Sequence, residues 1–318
     1  MGKEKQGKKR EGVQQGKGEE RRGPPSDFRA LERELAELHR LLGEHTFESK
    51  EEIKEFLDRT LAEAGGKIPR TAPRTPQEEA QNLVYEAWET EGPERVALAC
   101  KALEVCPDCA DAYVILAEET ACSTSEARDL YAKGVAAAER ALGPEIFKEE
   151  AGHFWGLLST RPYMRARLGL ARCLWELGEY EAAVEHFKDL LRLNPRDNQG
   201  VRFFLINALL ILGRDEEAKE LLARYRDDPT AWWAYSRALW AFRREGDTPY
   251  ARKLLRRALA ANPHVPKYLL GWEPLPPDTF RSVGIGDESE AVDYVAESRS
   301  VWYHVPGALD WLAEIAGD

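Results

Sequence analysis

The sequence predicts an all-α protein. It reads as an α-solenoid of stacked helical hairpins, with a further helical hairpin at the N-terminus and capping helices at the C-terminus. Two observations carry that prediction. Between Arg165 and Asp197, apolar residues recur every three or four positions on both sides of a Leu177-Gly178-Glu179-Tyr180 turn. The pattern then returns. Gly178, Ala183, Phe187, Leu190 and Pro195 are matched, each 68 residues later, by Gly246, Ala251, Leu255, Ala258 and Pro263. A lone hairpin cannot bury its own apolar stripe, so recurrence implies stacking into one continuous core.

Residues 1–26 are rich in Lys, Gly, Glu and Gln with almost no apolar side chain, which predicts disorder. Such a segment serves as a solubilising tail, or as a loose electrostatic tether to RNA or acidic protein. Residues 27–66 read as the N-terminal hairpin. Phe28, Leu31, Leu35, Leu38 and Leu42 make one apolar stripe on its first helix. Ser49-Lys50-Glu51-Glu52 is a capping box that opens the second helix, with Ile53, Phe56, Leu57 and Leu61 inside. Residues 67–76, KIPRTAPRTP, hold three prolines and no periodicity, as expected of a linker.

Residues 77–270 carry the repeats. Ala99, Ala102 and Pro107 sit at the offsets of Phe187, Leu190 and Pro195, and Ala110–Gly134 reads as a further pair with a shortened turn. Val201–Tyr225 repeats the turn Gly213 and the crossing Ala218, and Trp232–Pro263 completes the series. Residues 143–162 interrupt it with an aromatic, charged insertion. The spacing ends at Pro263, and 271–318 reads as the capping segment, with helices over Asp287–Ser300 and Pro306–Ala316.

The small crossing residues Ala171 and Ala183, the aromatic Phe187 and the terminal Pro195 resemble the tetratricopeptide repeat. A wider resemblance rests on less generic strings. NPHVPKYLLGWEPLPPD, then GDESEAVDY and PGALDWL, is similar to the C-terminal part of the suppressor of tumorigenicity seven family. CPDCADAYVILAEE with ARDLYAKG is similar to that family's earlier repeats, and the likeness covers about residues 80–318. It implies a helical-repeat protein without a settled biochemical activity. The family's animal members are described as membrane proteins, and that property does not transfer to a chain without spanning segments.

With 318 residues, 43% of them hydrophobic, the chain can fill one long or two ordinary domains. A net charge of −11 and a pI near 5.3 argue against a general binder of nucleic acid or anionic membrane. Residues 1–22 hold eight Lys/Arg and four Asp/Glu, so the tail is +4 and the remainder −15. The longest apolar run, Phe203–Leu212, has ten residues; a bilayer span needs about 20. No apolar h-region follows the basic N-terminus. Five cysteines, an odd number, fit a reducing compartment, so the expected location is the cytoplasm.

No nucleophile elbow, phosphate loop or paired-acid motif occurs, and the six histidines lack metal-ligand spacing, so no catalytic residue, metal or cofactor is expected. Cys106-Pro107-Asp108-Cys109 reads as structural thiols at an inter-repeat turn. By the register of this repeat class, the groove-facing residues include Arg172, Trp175, Asn207, Trp233, Trp240, Arg243 and Arg244. Arg and Asn suit peptide backbone and carboxylates, and Trp anchors apolar side chains, unless these large residues are simply core. A second cluster, His153, Trp155, Arg161, Tyr163, Arg165 and Arg167, could form a stacking anion pocket at a helix N-terminus. The competing reading packs the aromatics and pairs the arginines with acids such as Glu145, Glu149 and Glu150. The expected function is therefore a non-catalytic adaptor or scaffold that takes a protein or peptide in its concave face. The alternative is an enzyme or small-anion binder using His153–Arg167. The sequence leaves homo-oligomerisation open.

Overall fold

A computed structural model of the chain describes residues 26–276 and 282–317. The tail expected to be disordered lies outside the described residues, except Ser26, which begins the first helix. The described residues form sixteen α-helices and two short 3-10 turns, with no strand among them. The helical pair α1 (Ser26–Leu42) and α2 (Lys50–Glu63) comes first. Five hairpins follow: α3 (Pro76–Trp88) with α4 (Gly92–Val105), α5 (Ala110–Thr120) with α6 (Thr124–Leu142), α8 (Arg161–Glu176) with α9 (Tyr180–Leu193), α10 (Val201–Leu212) with α11 (Asp215–Arg224), and α12 (Ala231–Glu245) with α13 (Pro249–Ala261). The insertion supplies α7 (Ile146–Glu149) and the two 3-10 turns, and α14 (Val265–Leu269), α15 (Glu288–Tyr303) and α16 (Ala308–Ala316) close the chain.

Local chemistry sets these boundaries. The side chains of Ser49, Thr75, Ser123, Thr230 and Thr248 each accept a first-turn backbone N–H, and α3, α4, α8 and α13 carry Pro in the first turn. The capping box at Ser49 is a variant. Ser49 Oγ accepts from Glu52 N–H at 3.1 Å, but the Glu52 carboxylate returns to Glu48 N–H at 2.8 Å. Gly178 (φ 81°) and Gly213 (φ 71°) take the left-handed conformation that lets one helix of a pair end and the next begin.

The crossing alanines are where the repeat pattern puts them. Ala171, Ala183, Ala218, Ala251 and Ala258 are fully buried. The tightest approach between two helices is at Gly169 of α8, which lies under the Tyr131 ring of α6 and leaves no room for a Cβ. The insertion packs as an aromatic plug, with Phe154 buried against Phe147 (5.2 Å) and Tyr163 (6.1 Å). The expected single core is divided. One apolar cluster runs from α5 to α16, and a smaller one, with Ala80, Val84, Ala99, Ala102 and Ile115, serves α3–α5.

At the C-terminus, α16 seals the last hairpin: Trp311 stacks on Phe242 at 4.4 Å and its indole N–H donates to Asp247 at 3.0 Å. Helix α15 reaches further than an end cap and lies back across α12 and α10. Helix α1 lies along α3. Gly169→Ala is expected to overpack the α6–α8 contact and cost about 1–3 kcal/mol in thermal unfolding. An unchanged melting temperature would mean that this approach is looser than described.

Candidate functional site

The first helices of the hairpins, α3, α5, α8, α10 and α12, form the face that is concave in this repeat class. Both ends of that face carry helices of the same chain. At the C-terminal end, Tyr294 of α15 packs against Trp232 and Tyr235, each at 5.6 Å, and accepts a hydrogen bond from Trp302 Nε1 at 2.7 Å. Asn207 Nδ2 donates to Ser298 Oγ (3.0 Å) and to the Glu297 carbonyl (3.2 Å). The Ala231 N–H donates to Glu290 Oε1 at 2.8 Å.

At the N-terminal end the contacts are ionic. Arg165 holds Asp111 of α5 through Nε (2.7 Å) and Nη2 (2.6 Å), and Glu32 of α1 through Nη1 (3.0 Å) and Nη2 (2.9 Å). Arg161 Nη1 reaches the same Glu32 at 3.2 Å, and Gln81 Nε2 donates to Asp111 at 3.0 Å. The Trp88 ring lies against the guanidiniums of Arg29 (4.8 Å) and Arg165 (5.0 Å). Burial works against the Arg165 charge, but Asp111 and Glu32 outweigh it and hold the pKa above its ordinary value.

This docking does not follow the apolar stripe of α1. Glu32, Glu37 and Arg40 are buried, whereas Leu31 and Leu35 of the apolar stripe are 50% and 36% exposed. The charged side turns inward because fixed guanidiniums on α8 and the Trp88 ring on α3 await it there.

The predicted partner-binding residues fall in different settings. Trp233 is wholly buried in the core, so it is corrected to a packing residue; its neighbour Trp232 is the one that meets α15. Asn207 is on the expected face but lies beneath α15. Trp175 packs on Tyr180 at 4.6 Å, at the turn of its own hairpin. Trp240, Arg243 and Arg244 are tied to the start of α11: Trp240 Nε1 donates to the Asp215 carbonyl (3.1 Å), Arg243 Nε to the Asp215 carboxylate (2.9 Å), and Arg244 pairs with Glu216 (3.2 Å). Beside Arg243, a cavity of about 390 Å³ opens between Phe242, Gly246 and the 304–306 turn. Arg172 remains half-exposed between the two docked helices, 3.4 Å from Glu297.

The anion pocket is not assembled. Arg161 and Arg165 face α1, whereas Arg167 pairs with Asp189 and Tyr163 and donates to His186 Nδ1 at 3.1 Å. Tyr163 is buried, Trp155 lies 5.4 Å from the Arg161 guanidinium, and His153 is exposed. The arginines are paired with acids, as one reading held, but with Glu32, Asp111 and Asp189 instead of Glu145, Glu149 and Glu150. Cys106 Sγ donates to Gln77 at 3.0 Å, and burial pushes the Cys109 thiol up to about 12, so Cys109 stays protonated at neutral pH.

The family model described as ST7 protein matches residues 71–316. The chain belongs to the ST7 protein family. It is 29% identical over 272 residues to the ST7 homolog of Drosophila pseudoobscura pseudoobscura, covering 74% of this chain and 48% of that protein. It is 30% identical over 258 residues to the suppressor of tumorigenicity 7 protein-like of Rattus norvegicus, covering 73% of this chain and 46% of that one. This ST7-family chain thus spans about half the length of the curated relatives it matches. Among solved structures, YrrB, described as a TPR protein with an unusual peptide-binding site, aligns at a TM-score of 0.40 and 20% identity over 58% of this chain and 84% of that one. Among the described residues, no helix of this ST7-family chain is long and apolar enough to cross a membrane.

On the outer side of α15, Asp293 lies beside Glu297 and Glu290. Loss of hydration among the packed helices, then those two carboxylates, push its carboxyl up to about 6. The folded state therefore holds a proton that the unfolded chain has already released. Stability falls as pH rises from the unfolded value of 3.8 to about 6, and the loss persists above that range. Because one side of Asp293 remains open to solvent, screening limits the effect to about 1 kcal/mol or less. Asp293→Asn is expected to raise the melting temperature by about 1–3 °C at pH 7.5 and to leave it unchanged near the unfolded pKa of 3.8. Equal shifts at both pH values would contradict the assignment.

Proposed function

We propose that this ST7-family chain is a non-catalytic protein-binding scaffold that recognises helical segments on its first-helix face. The observation that carries the reading is the occupancy of that face by α1 and α15, through contacts of two different chemistries. A surface that already holds two helices of its own chain offers the paired charges, aromatic rings and amide donors that helix recognition uses. The alternative of a small-anion binder or enzyme at His153–Arg167 loses its support, because all three guanidiniums there are engaged by carboxylates. We place the protein in the cytoplasm, a reading supported by the odd number of cysteines, five, which suits a reducing compartment.

Photo-crosslinking tests the choice of face. A crosslinking amino acid at Arg172 lies in the open interval between the two docked helices, and one at Lys219 lies on α11, a second helix. Expressed in its native cell, the Arg172 variant is expected to give discrete protein adducts and the Lys219 variant none. Adducts at Lys219 alone would move the binding surface to the other side of the solenoid.

A further inference from the structure

The two helices on the first-helix face are held unequally. Helix α15 buries Tyr294, Val295 and Trp302 almost completely, and apolar surface removed from water holds it in place. Among the described side chains of α1, Leu41 is the single buried apolar residue. What faces inward is instead Arg29, at 3.9 Å from Glu118, Glu32 against Arg161 and Arg165, and Arg33, at 2.6 Å from Glu89. Ion pairs taken out of water do little more than offset their own desolvation. The Arg29 Nε is buried without a hydrogen-bond partner among the described residues, which weakens the docking further.

The face beneath α1 is also built to stand alone. If α1 lifts away, Arg165 keeps both bonds to Asp111, and Arg161 keeps its Nε bond to the Trp155 carbonyl at 3.0 Å. Neither charge is left buried and unpaired. By contrast, removal of α15 would expose aromatic side chains and orphan the Asn207 amide.

We propose that α1 is the exchangeable occupant of the face formed by α3, α5 and α8, and that this face takes a partner helix carrying a basic residue followed three positions later by an acid. That is the arrangement of Arg29 and Glu32 in α1 itself. The acid of the partner sits between Arg161 and Arg165, and its cation lies on Trp88 toward Glu118. This inference rests on the scaffold reading above and names its regulated half. Because α1 must leave first, the apparent affinity for the partner is reduced by the fraction of molecules in which α1 is docked.

The probe is a fluorescent synthetic peptide of residues 26–42, titrated into the full chain and followed by anisotropy. Glu32→Lys in the full chain places a third cation beside Arg161 and Arg165 and releases α1; Glu32→Gln gives the milder, uncharged variant. Docking in 90–99% of wild-type molecules corresponds to a roughly ten- to hundredfold weaker apparent affinity. The peptide is therefore expected to bind Glu32→Lys more tightly than wild type by about that factor, with Glu32→Gln between them. Added salt should weaken the binding, and a peptide bearing its own Glu32→Lys change should not bind. Hydrogen exchange of the α1 amides is followed on the same proteins. If those amides stay as protected in Glu32→Lys as in wild type, or the peptide binds both proteins equally, α1 is not the exchangeable occupant; the scaffold reading then survives without it. If α1 is released and the peptide binds none of the proteins, this face does not receive helices, and both readings fall.

Discussion

One guanidinium joins the two ends of the N-terminal half. Arg165 of α8 grips Asp111 on α5, 54 residues upstream, and Glu32 on α1, 133 residues upstream. Asp111 is wholly buried, so its charge is tolerable only because Arg165 and Gln81 surround it. That constraint explains why the small α3–α5 core and the large α5–α16 core can be separate apolar clusters in one stack. Between them the structure uses charge instead of hydrocarbon.

The same residue separates a permanent contact from a removable one. Loss of Arg165 strands Asp111 in a dry setting, and breaking a buried pair in this way is worth about 3–5 kcal/mol. Loss of the Glu32 charge costs no more than the docking energy of α1, because α1 can move out and leave Arg165 with Asp111. At the other end, α15 has no such exit, since its aromatic side chains are part of the main core. In the scheme proposed above, a face with one fixed and one removable helix lets this chain hold a partner without an open groove.

The hairpins were legible in the sequence because their causes are local: apolar spacing of three and four, alanine at each crossing, and glycine at the turns. The basic cluster in an acidic chain was equally legible as something that needs neutralisation. Its partners were not, because nearby glutamates such as Glu145 are the natural guess while Glu32 arrives from 129 and 133 residues away. The side of α1 that docks was not legible for the same reason. Phe28, Leu31, Leu35, Leu38 and Leu42 form a clean stripe, and nothing within the helix shows that guanidiniums elsewhere compete for its opposite side. Trp233 and Trp232 are both buried, and it is Trp232, a step of about 100° around the helix away, whose ring meets α15; local spacing does not tell the two apart. Asn207 lies beneath α15, and the return path of α15 over it is a long-range event with no local sequence signal.

The claim that α1 is held by its charged face stands on the Glu32–Arg165 contact, and a double-mutant cycle measures that contact directly. Chemical unfolding of wild type, Glu32→Gln, Arg165→Met and the double variant removes the shared Arg165–Asp111 loss from the comparison. The two substitutions are expected to be non-additive by at least about 1 kcal/mol, since once Arg165 is gone the Glu32 change removes only the single contact with Arg161. Additivity to within about 0.5 kcal/mol would mean that the pair does not form and that α1 lies elsewhere.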